Sequence, residues 1–142
     1  MRDKDGMSSA LLVAELAALE KARGRTLLDR LADLEQRFGR HETRQLSYRV
    51  SDLSRIAAAV DDLRSALPRA YGPFAVTAVE QPADDVLVHR LSGAQGGGGA
   101  AGRVVVRPSG TEPKLKAYLE LVDPPAGAMD VLAEAVDARL GL

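Results

Sequence analysis

The chain has 142 residues, 46% of them apolar and 27% charged, a balance that supports one compact domain, or a small domain with part of another. Nineteen basic against 20 acidic residues leave a formal net charge of −1, and aromatic residues are only 4%. These values argue against a nucleic-acid binder, which needs a basic excess or a stacking platform, and the lack of cysteine excludes disulfides and thiolate chemistry while fitting a reducing cytosol.

A first helix is predicted from about Gly6 to Arg23, with Asp5 as N-cap and Gly24 just past its end. Only Glu15 interrupts the apolar run from Ala10 to Leu19. That run is too short to cross a bilayer core of about 30 Å, and it lacks the cleavage pattern of a signal peptide. No membrane partner is expected, and the chain reads as cytoplasmic. A helix apolar on nearly every side is normally buried on several faces, yet this chain offers little to bury it. The second helix starts at Thr26, where Thr-Leu-Leu-Asp approximates a capping box, and carries a stripe of Leu27, Leu31, Leu34 and Phe38 up to Gly39. The two helices read as an antiparallel hairpin.

From His41 to Val50 the pattern loosely alternates, which suggests a strand. Ser51 or Asp52 then caps a helix with Leu53, Ile56, Val60, Leu63 and Leu67 on one stripe, ended by Pro68. Strands follow at Phe74 to Glu80 and Val86 to Leu91, joined by a hairpin-like connection over 81–85. A glycine-rich loop over 92–102 leads to strands at Arg103 to Arg107 and Lys114 to Val122. In the last of these, Leu115, Ala117, Leu119 and Leu121 alternate with Lys114, Lys116, Tyr118 and Glu120, as in a sheet with one solvated face. A final helix from Ala128 to Leu140 should bury Val131, Leu132, Ala135 and Val136. The expected fold class is α+β: an antiparallel sheet of four to five strands, helices packed on one face, preceded by the helical hairpin of 1–40.

The segment Arg107-Pro108-Ser109-Gly110-Thr111-Glu112-Pro113-Lys114 concentrates the chemistry. Arg107 offers a planar fork for two phosphate oxygens, and Ser109 and Thr111 offer hydroxyls. Gly110 would let the amides of 109–111 curl into an anion-binding nest, while Pro108 and Pro113 stiffen the loop. Lys114, with Lys116 beyond it, adds charge. Pro-Ser-Gly is also a good turn sequence, so residue chemistry alone leaves a plain hairpin and an anion-binding loop both open.

This octapeptide resembles the phosphate-binding loop in the C-terminal domain of the α-D-phosphohexomutase family, the phosphoglucomutases, phosphomannomutases and relatives. Asp3-Lys4-Asp5-Gly6-Met7-Ser8-Ser9-Ala10 is similar to the segment that opens the last helix of that family's third domain, and together the two segments look most like the phosphoglucomutase, phosphomannomutase and phosphopentomutase branch. The resemblance implies that 1–40 is the helical tail of a third domain and 41–142 a phosphate-binding fourth domain. It implies that Arg107, Ser109, Gly110, Thr111 and Lys114 grip the phosphate of a sugar phosphate substrate that is not being transferred. No segment resembles the family's phosphoserine, metal or sugar-reading loops. The expectation is therefore a fragment, with no catalytic and no metal-ligating residue of its own and inactive alone. By the same resemblance, the parent enzyme would use magnesium and a sugar bisphosphate activator.

Other features read as structural. Asp3 and Asp5 make a poor magnesium cage and serve as caps, Gly93 and Gly96–Gly99 lack the frame of a nucleotide loop, and His41 and His89 have no partner pattern. The competing class is a free-standing domain that binds an anion or phosphoprotein without a catalytic role. The exposed apolar helices also predict self-association through residues 1–40.

Overall fold

The computed structural model describes residues 5–93 and 102–142. Asp3 and Gly96–Gly99 lie outside the described residues. The chain divides into two compact units, 1–40 and 41–142.

The first unit is a helical hairpin of α1 (Gly6–Ala22) and α2 (Leu27–Phe38). Asp5 caps α1, its Oδ1 accepting the Ser8 N–H at 3.0 Å and its Oδ2 the Ser8 hydroxyl at 2.6 Å. Thr26 and Asp29 form the reciprocal capping box at the start of α2: the Thr26 hydroxyl accepts the Asp29 N–H at 3.2 Å, and the Asp29 carboxylate accepts the Thr26 N–H at 2.7 Å. The turn between them is organised by Glu20, whose buried carboxylate accepts from Arg23 at 3.3 Å and Arg25 at 3.0 Å, while Arg25 also reaches Asp33. In contrast, Leu11, Leu12, Val13 and Leu19 on α1 and Leu27, Leu31, Leu34 and Phe38 on α2 are all exposed.

The second unit contains β1 (His41–Arg49), α3 (Leu53–Ser65), β2 (Ala70–Tyr71), β3 (Phe74–Ala83), β4 (Val86–Ser92), β5 (Gly102–Pro108), β6 (Lys114–Val122) and α4 (Ala128–Leu140). The strands form one sheet in the order β1-β6-β5-β4-β3-β2, every neighbouring pair antiparallel. The fold is α+β, with six strands among the described residues rather than the four or five predicted. The extra one, β2, has two residues, too few to show alternation; it turns back through Gly72, at φ +55°, to pair Tyr71 with Phe74. Strand β3 also runs further than expected, to Ala83. It takes Pro82, which has no N–H to donate, at a register shift between Glu80 and Ala83.

One face of the sheet carries the core. Leu115, Ala117, Leu119 and Leu121 of β6, Val104 and Val106 of β5, and Leu87 and Leu91 of β4 pack with Ile56, Val60 and Leu63 of α3 and Met129, Leu132, Ala133, Val136 and Leu140 of α4. Removing one such leucine side chain costs roughly 2–5 kcal/mol. The buried face of α4 is rotated from the predicted one: Val131 is exposed and Ala135 half-buried, because both flank the Gly72 turn. Leu53, the first residue of α3, is exposed as well, and so is Leu67, since α3 ends at Ser65, before its stripe would bring Leu67 back to the sheet. Polar clamps lock the helices: Arg44 of β1 pairs with Asp130 of α4 at 2.8 Å, and Arg139 of α4 reaches Asp62 and the Ala66 carbonyl beyond α3.

His89 lies in this core, fully buried and stacked on Tyr71 at 5.7 Å between ring centroids, with its Nδ1 2.7 Å from the Tyr71 hydroxyl. Burial, with Arg139 adding to it, pushes its pKa below the usual histidine value. The unfolded chain therefore binds more protons once the pH drops below about 6.5, and stability falls with pH from there. The carboxylates whose pKa values are lowered act only in more acidic solution. We expect urea unfolding to show a loss of stability from neutral pH towards about pH 5.5, and His89→Gln to flatten that slope.

Gly102 opens β5 where backbones crowd. A Cβ there would lie 2.4 Å from the Glu120 carbonyl oxygen and 2.7 Å from Leu121 Cδ2. Gly102→Ala must push β5 away from β6, and the expected loss is about 1–3 kcal/mol by chemical denaturation.

Candidate functional site

The five residues between β5 and β6, Ser109 to Pro113, form a loop at one end of the sheet. Its frame is made from backbone. The Ser109 N–H donates to the Lys114 carbonyl at 2.8 Å, the Lys114 N–H to the Glu112 carbonyl at 2.7 Å, and the Val50 N–H to the Pro113 carbonyl at 3.1 Å, pinning the loop to the end of β1. The Ser109 amide is thus spent within the hairpin, and among the described residues the Gly110, Thr111 and Glu112 amides are the donors left over.

Gly110 does not adopt the left-handed backbone found at Gly24, Gly39 and Gly72. A Cβ built on it would meet nothing within 4 Å. Neither the backbone conformation nor the packing of the chain therefore demands glycine at this position, whereas close approach of an external group to the backbone would. Gly110→Ala should leave thermal and denaturant stability within about 0.5 kcal/mol of the parent.

Strand alternation decides which side chains meet at the loop. On the open face, Arg107 of β5 lies opposite Lys116 of β6, and Lys116 lies opposite Ser47 of β1. One step nearer the loop, Lys114 lies opposite Arg49. Four cations, Arg49, Arg107, Lys114 and Lys116, so gather at the loop end on three adjacent strands. The acid among them is Glu112, which accepts from Lys114 Nζ at 2.9 Å and from Arg49 Nη2 at 3.2 Å. Lys114 holds the Glu112 carboxyl below the usual carboxylate range, with smaller help from Arg49 and Lys116.

The other predicted site groups are less engaged. Arg107 is exposed and makes only a 3.4 Å contact from Nε to the Pro108 carbonyl. Among the described residues, the Ser109 and Thr111 hydroxyls and the Lys116 ammonium make no hydrogen bond or ion pair. The structure thus brings Arg107, Ser109, Gly110, Thr111 and Lys114 to one sheet end and adds Arg49 and Ser47, which sequence reasoning missed. Their signal was the strict alternation of β1, where Thr43, Gln45, Ser47 and Arg49 share the polar face. Which partner that face would meet depended on β1 pairing with the last strand.

Further along the open face the charges cancel. Arg90 pairs with Glu80 at 2.8 Å, Arg103 lies opposite Arg90 and pairs with Glu120, and Glu120 accepts from His41 Nδ1 at 2.7 Å. Burial alone would raise the Glu120 carboxyl, but His41 and Arg103 hold it below the usual range. Between this ladder and the cationic end lies a depression of about 300 Å³ lined by Thr43, Gln45, Val105 and Tyr118. Among the described residues no three His, Asp or Glu side chains converge as metal ligands would, so these residues do not fit a magnesium site.

Residues 48–138 match the family model of the phosphoglucomutase/phosphomannomutase C-terminal domain. The chain belongs to that family. It is 38% identical to a probable phosphomannomutase of Haemophilus influenzae, over 94% of this chain and 27% of the relative. It is 30% identical to a human phosphopentomutase, over 89% of this chain and 23% of the relative. Against a phosphoglucomutase of Staphylococcus aureus strain N315 the identity is 29%, over 99% of this chain and 27% of the relative. The chain thus spans about a quarter of the length of these curated relatives. The matched domain begins within β1 and runs into α4, so it includes the loop and all four of its cations. No helix among the described residues is long and apolar enough to cross a membrane.

Proposed function

We propose that residues 41–142 hold the phosphate of a sugar phosphate that is not being transferred, as the substrate-binding domain of a phosphosugar mutase. Residues 1–40 then belong to the domain before it. The observation that carries this reading is the loop end of the sheet, where, among the described residues, Arg107 and Lys116 stand without a carboxylate partner beside two unpartnered hydroxyls and three unused amides. A phosphate dianion offers acceptors for all of these, and charge-assisted bonds from a guanidinium are the strongest such a site can make. The domain's work is positioning: it fixes one end of the substrate so that the other end meets the reacting groups.

In this reading the nucleophile, the magnesium ion that assists transfer and the groups that read the sugar come from other parts of the mutase, and a sugar bisphosphate primes it. The relatives named for glucose, mannose and pentose phosphates supply the candidate substrates.

The isolated 142-residue chain should bind inorganic phosphate or glucose 6-phosphate at around millimolar, roughly −4 kcal/mol, since an open loop lacks the opposing wall of a closed cleft. In an NMR titration the Gly110 and Thr111 amides should move first. Arg107→Ala should weaken binding by about tenfold. Unchanged shifts and affinity in that variant would refute the assignment.

A further inference from the structure

Glu112 lies inside the phosphate-binding segment but has the wrong charge for the task. Its two carboxylate oxygens each hold one cation of the cluster, Lys114 Nζ at 2.9 Å on one and Arg49 Nη2 at 3.2 Å on the other. It thereby engages two of the four cations at the loop end, leaving Arg107 and Lys116 uncommitted. Resting on the phosphate-binding reading above, we propose that the Glu112 carboxylate is a built-in competitor for the substrate phosphate, holding Lys114 and Arg49 until an incoming dianion displaces it.

The setting suits exchange. The Glu112 side chain is 43% exposed, that of Arg49 68% and that of Lys114 22%, so the Arg49 pair is open to water and is the weaker of the two, the easier to give up. Glu112 also sits in the loop between β5 and β6, and among the described residues no hydrogen bond from a third group fixes its carboxylate. Arg107, Lys116 and the loop hydroxyls make the first capture. A dianionic phosphate then outbids a monoanionic carboxylate for Lys114 and Arg49, because its attraction to each cation is greater at equal distance. A monoanion has no such advantage. The competitor therefore raises the threshold for every anion, one that a dianionic phosphate monoester meets at concentrations where a carboxylate does not, and its return assists release.

The test uses Glu112→Gln in the 142-residue chain, with Glu112→Ala as a second variant, titrated by NMR with inorganic phosphate at mildly alkaline pH and with acetate as the monoanion. Removal of the competing charge should tighten phosphate binding roughly fivefold in both variants. Acetate, which carries half the charge, should gain no more than phosphate does. An unchanged phosphate affinity would mean that the two ion pairs are incidental. A weaker one would mean that Glu112 organises the cations for the ligand, and either result overturns the proposal. Arg107→Ala separates the two readings. If it and the parent bind phosphate equally, the phosphate assignment itself fails. If it loses binding while Glu112→Gln gains none, only the competitor does.

Discussion

Strand β6 is hydrogen-bonded along its length to β1 on one side and to β5 on the other, and its side chains alternate between a core face and an open face. Because the period of a strand is two, that register decides everything laid against it. A slip by one residue would turn Leu115, Ala117, Leu119 and Leu121 to water and bury Lys114, Lys116 and Glu120. The helices α3 and α4 find their seat on the apolar face, and the cations find each other on the other. Core and site are two consequences of one register.

The same register explains why the two ends of the open face differ. Towards Glu120, acids and bases fall opposite one another across the sheet, and the charges are satisfied within the protein. Towards the loop, β1, β5 and β6 all present cations, and among the described residues only Glu112 answers them. The chain as a whole is nearly neutral, so the proposed anion binding rests on local arrangement rather than on net charge. The loop backbone closes on itself and on Val50, which leaves side chains and the Gly110, Thr111 and Glu112 amides as the means of the proposed recognition. Such a site is stiff in its frame and adjustable in its charged tips.

Much of the fold was legible because its signals are local. The caps at Asp5 and Thr26, the alternation of β6 and the span of α4 each depend on neighbouring residues, and all were found where expected. The misses share a cause. Two residues of β2 are too short to alternate, and the apolar residues of α4 admit two adjacent stripes, between which the Gly72 turn chooses. His89 reads in the sequence as surface or structural without a visible partner, and its strand position supplies one, Tyr71 in the core. In the site, the loop residues were contiguous and therefore visible; Arg49 and Ser47 came from the far end of the domain and were not.

The sequence by itself determined the apolar pattern of the elements, the octapeptide Arg107 to Lys114 and, through its likeness to known relatives, the family. These are properties of contiguous residues, set by period, capping and side-chain chemistry. Only the tertiary structure decided that β1 returns to pair with β6, that Arg49 and Lys116 join Arg107 and Lys114, and that Glu112 lies between two of these cations. The physical reason is that long-range strand pairing depends on how the whole apolar face is buried at once, a quantity no local window contains.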